Sequence, residues 1–223
     1  MVNFVSASKR FQSWQAGRSP DTDAEASGIS QTTKETLHRR WSALTAELNS
    51  WFSGLPPSFR PCARIEQKDK MFGQGNADET LTFPEIWFSN IMCASTIQNY
   101  HMARILLLIH NPNAPTAYTS TVNNVLKFYR STESEIKQRC EEVCGIAQTY
   151  QPTSMHVHQC QVLFVVGQCL SDQNERQFIV DLLRRLRSDY GWETEYRVQQ
   201  LFAEWGGEPR SNVQVPGRNA NHN

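Results

Sequence analysis

The chain has 223 residues, 39% of them apolar, a mean hydropathy of −0.54, and 22 basic against 22 acidic side chains. Balanced charge argues against the broad basic field that nucleic acid or an anionic membrane selects. No run reaches the ~18 unbroken apolar residues of a bilayer span, and Met1-Val-Asn-Phe-Val-Ser-Ala lacks the basic start and apolar stretch of a secretory signal.

Residues 16–31, AGRSPDTDAEASGISQ, are small, polar and acidic without periodicity, and are expected to form a flexible loop. Leu37, Trp41, Leu44, Leu48 and Trp51 then recur at steps of four, three, four and three, which is one face of a helix. Thr32 with Glu35 reads as a capping box at its start, and Gly54 before Pro56-Pro57 ends it. Residues 60–81 read as a long polar connection in which Gly73-Gln-Gly75 is a turn.

Thr82-Phe83-Pro84-Glu85 predicts a second helix start. From there to His110 the reading is one unbroken helix, stopped by Asn111-Pro112 and ~39 Å long at 1.5 Å per residue. Its second half, Ile105–Ile109, is apolar nearly all round and implies burial on most sides. Ser89, Asn90, Gln98, Asn99, His101 and Arg104 rule out a lipid-facing segment.

Residues 118–130 read as helical through Tyr118, Val122, Val125, Leu126 and Tyr129. Ile136, Cys140, Val143, Ala147 and Tyr150 give a further helix, and continuity between the two is left open. Val162–Val166 has strand propensity, but no second convincing strand exists to pair with it, so residues 155–170 are assigned to helix. Asp172 with Glu175 caps the next helix, whose face is Ile179, Leu182, Leu186 and Tyr190 and whose stop is Gly191. Val198, Leu201, Phe202 and Trp205 form the last, ending at Gly206-Gly207. Residues 207–223 are expected to be a disordered tail. The fold class predicted is all-α: an irregular bundle of six to seven helices around a long central helix, with no credible sheet.

The residues that could carry chemistry are few. Six cysteines, at 62, 93, 140, 144, 160 and 169, contain no C-x-x-C; they read as reduced thiols of a cytosolic or nuclear protein and not as a clustered zinc module. His156-Val-His158-Gln-Cys160 holds metal-type residues, yet on a helix only 156 and 160 share a face; Cys140 and Cys144 could add two ligands. His101 and His110 lie nine residues apart, on opposite sides of a helix, and read as hydrogen-bonded core histidines. Arg184, Arg185 and Arg187, with Arg176 nearby, read as a solvated face. There is no G-x-S-x-G and no groupable nucleophile, base and orienter. The expectation is therefore no catalytic, cofactor-binding or metal-ligating residue and no enzyme; the alternative is a small helical metal- or ligand-binding protein or enzyme using His156, His158 and Cys160.

An ordered set of stretches resembles the C-terminal fungal-specific transcription factor domain of zinc-cluster transcription factors. It comprises Trp41-x-x-Leu44-x-x-x-Leu48-x-x-Trp51 with Pro57-x-Phe59-Arg60-Pro61, then Phe83-Pro84-x-Ile86-Trp87-Phe88. Tyr100-His101-x-Ala103-Arg104-Ile105-Leu106-Leu107-Leu108 follows, running into Asn111-Pro112, then Glu142-Val-Cys144-Gly145-Ile146-Ala147 and Leu163-Phe164-Val165-x-Gly167-x-x-Leu170. Glu175-Arg176, Leu182-Leu183, Gly191-Trp192-x-Thr194 and Glu204-Trp205-Gly206 complete it. The resemblance implies an all-helical regulatory domain over residues 32–206, acting in the nucleus through protein partners of the transcription machinery or self-association, with room for a small effector. It carries no catalytic residue. The clustered cysteines and basic stretch of the family's DNA-binding module have no counterpart here, so no specific DNA binding is expected from this chain alone. Met1-Val-Asn-Phe-Val-Ser resembles the interior of a helix in that family, which implies that residues 1–31 are a helix remnant and a loop. On that reading the chain is a truncated form, or a short form that needs a partner to cover its core.

Overall fold

The computed structural model describes residues 25–66, 83–115, 121–150 and 159–207. Among them are six α-helices and one two-stranded antiparallel sheet: α1 (Glu25–Ser53), β1 (Ala63–Ile65), β2 (Glu85–Trp87), α2 (Ile91–Ile109), α3 (Val122–Thr149), α4 (Cys160–Gly167), α5 (Gln173–Tyr190) and α6 (Glu195–Glu204). A single 3₁₀ turn, Pro57–Phe59, follows α1. The all-α class stands, and the sheet is a small addition to it.

The helix α1 begins seven residues before the expected capping box, so residues 25–31, expected to be loop, are helical. No proline interrupts the span, and Gly28 costs a helix interior only about 1 kcal/mol. Leu37 is buried and Trp41, Leu44 and Leu48 are half-buried along the expected face, while Trp51 is exposed. The helix runs antiparallel to α2: the Trp41 indole N–H donates to the Leu107 carbonyl at 2.8 Å, and Phe52 stacks on Tyr100 at 4.1 Å near the other end.

The expected helix from Thr82 to His110 is corrected. Residues 85–87 are a strand, paired Ala63↔Trp87, Arg64↔Ile86 and Ile65↔Glu85 with β1, which lies inside the stretch expected to be a featureless connection. The helix starts at Asn90, whose side-chain oxygen accepts from the Met92 amide at 2.8 Å. The physical reason is a change of period. Ile86 and Phe88 are buried and Trp87 is exposed, an alternation of two that suits a half-buried strand, and Asn90 is a strong N-cap. The 19 residues of α2 span about 28 Å.

The two helical stretches left open between 118 and 150 are one helix, α3, in the described residues from Val122 to Thr149. Its C-terminal end backs β2. The Ile86 amide donates to Thr149 Oγ1 at 2.7 Å, and the Phe88 amide donates to the Tyr150 hydroxyl at 2.6 Å. At Gly145 the strand approaches so closely that a Cβ would stand 2.7 Å from the Pro84 carbonyl oxygen and 2.9 Å from Ile86 Cδ1. Only glycine fits this contact without a shift.

The short helix α4 is apolar apart from the exposed Gln161 and is buried from Val162 to Gly167, packed against α2, α3, α5 and α6. This is the helix, not strand, outcome expected for residues 162–166. Asp172 caps α5, its Oδ1 accepting from the Asn174 and Glu175 amides, and Gly191 ends it in the left-handed conformation at φ 69°. Trp205, just after α6, donates its indole N–H to the Gly167 carbonyl at 3.1 Å. The larger core cluster joins Phe83, Ile105, Val143, Leu163, Ile179, Leu183 and Leu201; a smaller one joins Ile86, Phe88, Ile97 and Ile146 behind the sheet.

Polar groups inside this core are tied together. Gln98 Nε2 donates to the Val143 carbonyl at 3.0 Å, and Gln159 Nε2 donates to Gln98 Oε1, so α2, α3 and the entry to α4 share one buried amide chain. The expected disordered tail begins at 207; residues 208–223 lie outside the described residues, as does Gly73-Gln-Gly75.

Candidate functional site

His156 and His158 lie outside the described residues. Cys160 stands at the first turn of α4, half-buried, with burial pushing its thiol pKa up and Arg197 opposing that shift. A thiol so shifted stays protonated at neutral pH. Cys140 and Cys144 are core residues of α3. The Cys140 thiol is raised by its hydrogen bond to Cys169 and by burial, and Cys144 by burial above all. Among the described residues no three His, Cys, Asp or Glu side chains are grouped to hold a metal ion.

His101 and His110 are both buried although they occupy opposite sides of α2, because the helix is covered on both sides at those levels. His101 lies edge-on to Tyr100 at 5.3 Å; desolvation, with the nearby Arg139 charge, lowers its pKa to about 3. It is a neutral core side chain. The arginines expected to form a solvated face do lie at the surface, Arg185 and Arg187 exposed and Arg184 and Arg176 half-buried, and most of them also make contacts there. Arg184 and Arg187 pair with Glu195, at 3.6 and 3.5 Å, and Arg187 also reaches Glu193. Arg176 donates to the Leu170 carbonyl and lies over the Trp205 ring at 5.0 Å.

Three surface features remain. The first is the N-terminal half of α3. Val122, Leu126 and Tyr129, at steps of four and three, form one stripe and are 71%, 46% and 53% exposed. The same helical line, continued toward the C-terminus, passes through Cys140 and Cys144, which are buried. Between Thr121 and Thr132 the only charges are Lys127 and Arg130. Reading the sequence alone, these apolar residues pass for a core face, because nothing in it says where the covering helices stop.

The second feature is a cleft of about 230 Å³ where α1, α2 and α3 meet, lined by Trp41, Thr45, Arg104, Leu108, Phe128 and Glu135 among others. Arg104 crosses it to Glu135 at 3.0 Å, so its charge is already matched. The third is a cleft of about 330 Å³ between the first turn of α4, the end of α5 and the start of α6, where Cys160, Leu186, Trp192, Thr194, Tyr196 and Arg197 converge. Sequence reading weighed Cys160 there for metal ligation, quoted Trp192 only within a family-like motif, and missed Tyr196 and Arg197, which are ordinary helix-start residues until the fold gathers them. Among the described residues no helix is long and apolar enough to cross a membrane.

No family model matches the chain, and no solved structure matches it. Among curated proteins, it is similar to the "Transcription activator AMTR1" of Alternaria alternata: 37% identical over 166 residues, which are 74% of this chain and 22% of that protein. The chain thus spans about a fifth of the length of this fungal relative, and within that span it shares sequence with a transcription activator.

Proposed function

We propose that the helices from α1 to α6 form a transcription-regulatory domain of the zinc-cluster type, which works in the nucleus through protein contacts and leaves specific DNA binding to a module outside the residues of this chain. The observation that carries the reading is the 37% identity to a transcription activator over three quarters of the chain, joined to the ordered motifs from Trp41 to Trp205. The architecture is compatible with it: burial holds His101, Cys140 and Cys144 uncharged, and the exposed features are suited to contact. A non-enzymatic role follows from the same similarity.

The contact surface we assign is the stripe Val122, Leu126 and Tyr129. Its occupant is an amphipathic helix of a partner protein with acidic flanks. The apolar line recurs at helical spacing, and Lys127 and Arg130 stand beside it with no carboxylate before Glu133. A second copy of this chain would oppose those two cations to themselves.

The test is a tethered reporter. Fused to a heterologous DNA-binding module, the chain changes reporter transcription several-fold relative to the module alone. Reporter output equal to that of the module alone contradicts the reading.

A further inference from the structure

The cleft at the start of α6 has the makings of a ligand site that the regulatory reading does not use. Its volume, about 330 Å³, falls within the usual small-molecule range of ~300–1,000 Å³. Its walls are pinned. Gly191 turns the chain out of α5, and the buried Thr194 hydroxyl donates to the Leu183 carbonyl at 2.6 Å, which fixes the connection carrying Trp192 and Glu193. Leu186 supplies a buried apolar floor.

Arg197 is the polar group that stands out. Its guanidinium lies 4.3 Å over the Phe164 ring and 5.0 Å from the Tyr196 ring, so it is held between aromatic faces. Its only acceptors among the described residues are neutral amides: Nη2 donates to Gln161 Oε1 at 2.9 Å and Nη1 to Gln200 Oε1 at 3.1 Å. Its buried Nε has no acceptor. Both glutamines are exposed. The contrast with its neighbours is sharp, since Arg184 and Arg187 already hold Glu193 and Glu195. A carboxylate adds an opposite charge and a second, parallel acceptor to what the Gln161 amide oxygen offers the fork, so an incoming carboxylate competes with Gln161 for the guanidinium.

The surroundings narrow the ligand further. Trp192 and Tyr196 are 53% and 48% exposed at the rim, large planar faces with no partner ring between them. One unmatched arginine, with Glu193 in the lining and Glu195 close by, favours a single negative charge and disfavours a dianion. The Cys160 thiol is a wall of the cleft, and burial raises its pKa, so it adds no negative charge to repel a carboxylate.

We propose that this cleft binds a small planar monocarboxylate, its anionic group on Arg197 and its ring against Trp192 and Tyr196. The probe is 2-naphthoate, with 2-naphthamide as its uncharged counterpart and 2-naphthyl phosphate as its dianionic one, titrated into the full chain by calorimetry. The acid binds with Kd on the order of 0.1–1 mM, and the amide and the phosphate bind at least ~10-fold more weakly. Arg197→Gln loses ~10-fold or more in affinity, and Trp192→Ala, a change at the exposed rim, loses ~5-fold with an unaltered melting profile. Should Arg197→Gln fail to fold, Arg197→Lys decides: it keeps the charge, loses the fork, and is expected to weaken the acid while leaving the amide unchanged. Equal binding of acid and amide, tighter binding of the phosphate, undiminished binding to the Arg197 and Trp192 variants, or no heat of binding at ~5 mM 2-naphthoate each overturns the proposal. None of these results bears on the reporter experiment, so the two readings fail separately.

Discussion

The two halves of α3 make opposite use of one helical face. From Cys140 to Ala147 the helix is buried almost all round, packed against α2, β2 and α4. From Val122 to Tyr129 the same line of side chains stands in water. The periodicity does not change at the boundary; the neighbours do. Fully burying a side chain such as Leu contributes about 1.5–3 kcal/mol, so the exposed half forgoes stabilisation that the buried half collects. An apolar stripe retained without cover is what a contact surface requires.

This contrast can be broken from either end. The largest effect is expected from Ile146→Ala in the buried half. Ile146 is fully buried beside Ile86, and its truncation costs about 2–5 kcal/mol in urea unfolding. Nearly as large is the pH effect at His101. Its folded pKa of about 3 lies below the unfolded value of 6.5, so the fold favours the neutral ring. That contribution is complete above pH 6.5 and is lost as pH falls toward 3. Wild-type stability relative to His101→Phe therefore drops by about 2 kcal/mol between pH 6.5 and 4.5, measured as the difference of the two unfolding curves.

Gly145→Ala sets a methyl group against the Pro84 carbonyl and costs about 1–3 kcal/mol by overpacking, with the loss concentrated in hydrogen-exchange protection of β2. Asp172→Ala removes the cap of α5 and costs about 1 kcal/mol in thermal melting. Leu126→Ser sits at the other extreme. In the exposed half it changes stability by no more than about 0.5 kcal/mol, and a drop comparable to that of Ile146→Ala would show that the stripe is core after all.

Much of this fold was legible because its signals are local. The step pattern from Leu37 to Trp51, the Asp172 cap and the Gly191 stop each act within a turn or two of helix, and each is where the spacing puts it. The misreadings arose where a local signal had a tertiary competitor. Thr82-Phe83-Pro84-Glu85 reads as a helix start, yet Ile86 and Phe88 gain more by alternating into the core behind the sheet, and the close approach of Ile86 needs glycine at 145. The start of α1 was misplaced for a simpler reason: a capping box is also an ordinary run of helix-compatible residues. The candidate sites were less legible than the fold. His156-Val-His158-Gln-Cys160 drew attention as a cluster in sequence, while Trp192, Tyr196 and Arg197 come together with Cys160 only through the packing of α4, α5 and α6. Exposure of Val122, Leu126 and Tyr129 depends on where the other helices pack, which no window of α3 contains.

The most direct test of the account replaces the stripe alone. The tethered reporter is read with the wild-type chain and with Val122→Ser, Leu126→Ser and Tyr129→Ser combined, the two proteins being matched for helicity and melting. The account predicts that the triple variant returns transcription to the level of the DNA-binding module by itself. A folded triple variant with the full wild-type effect would contradict it.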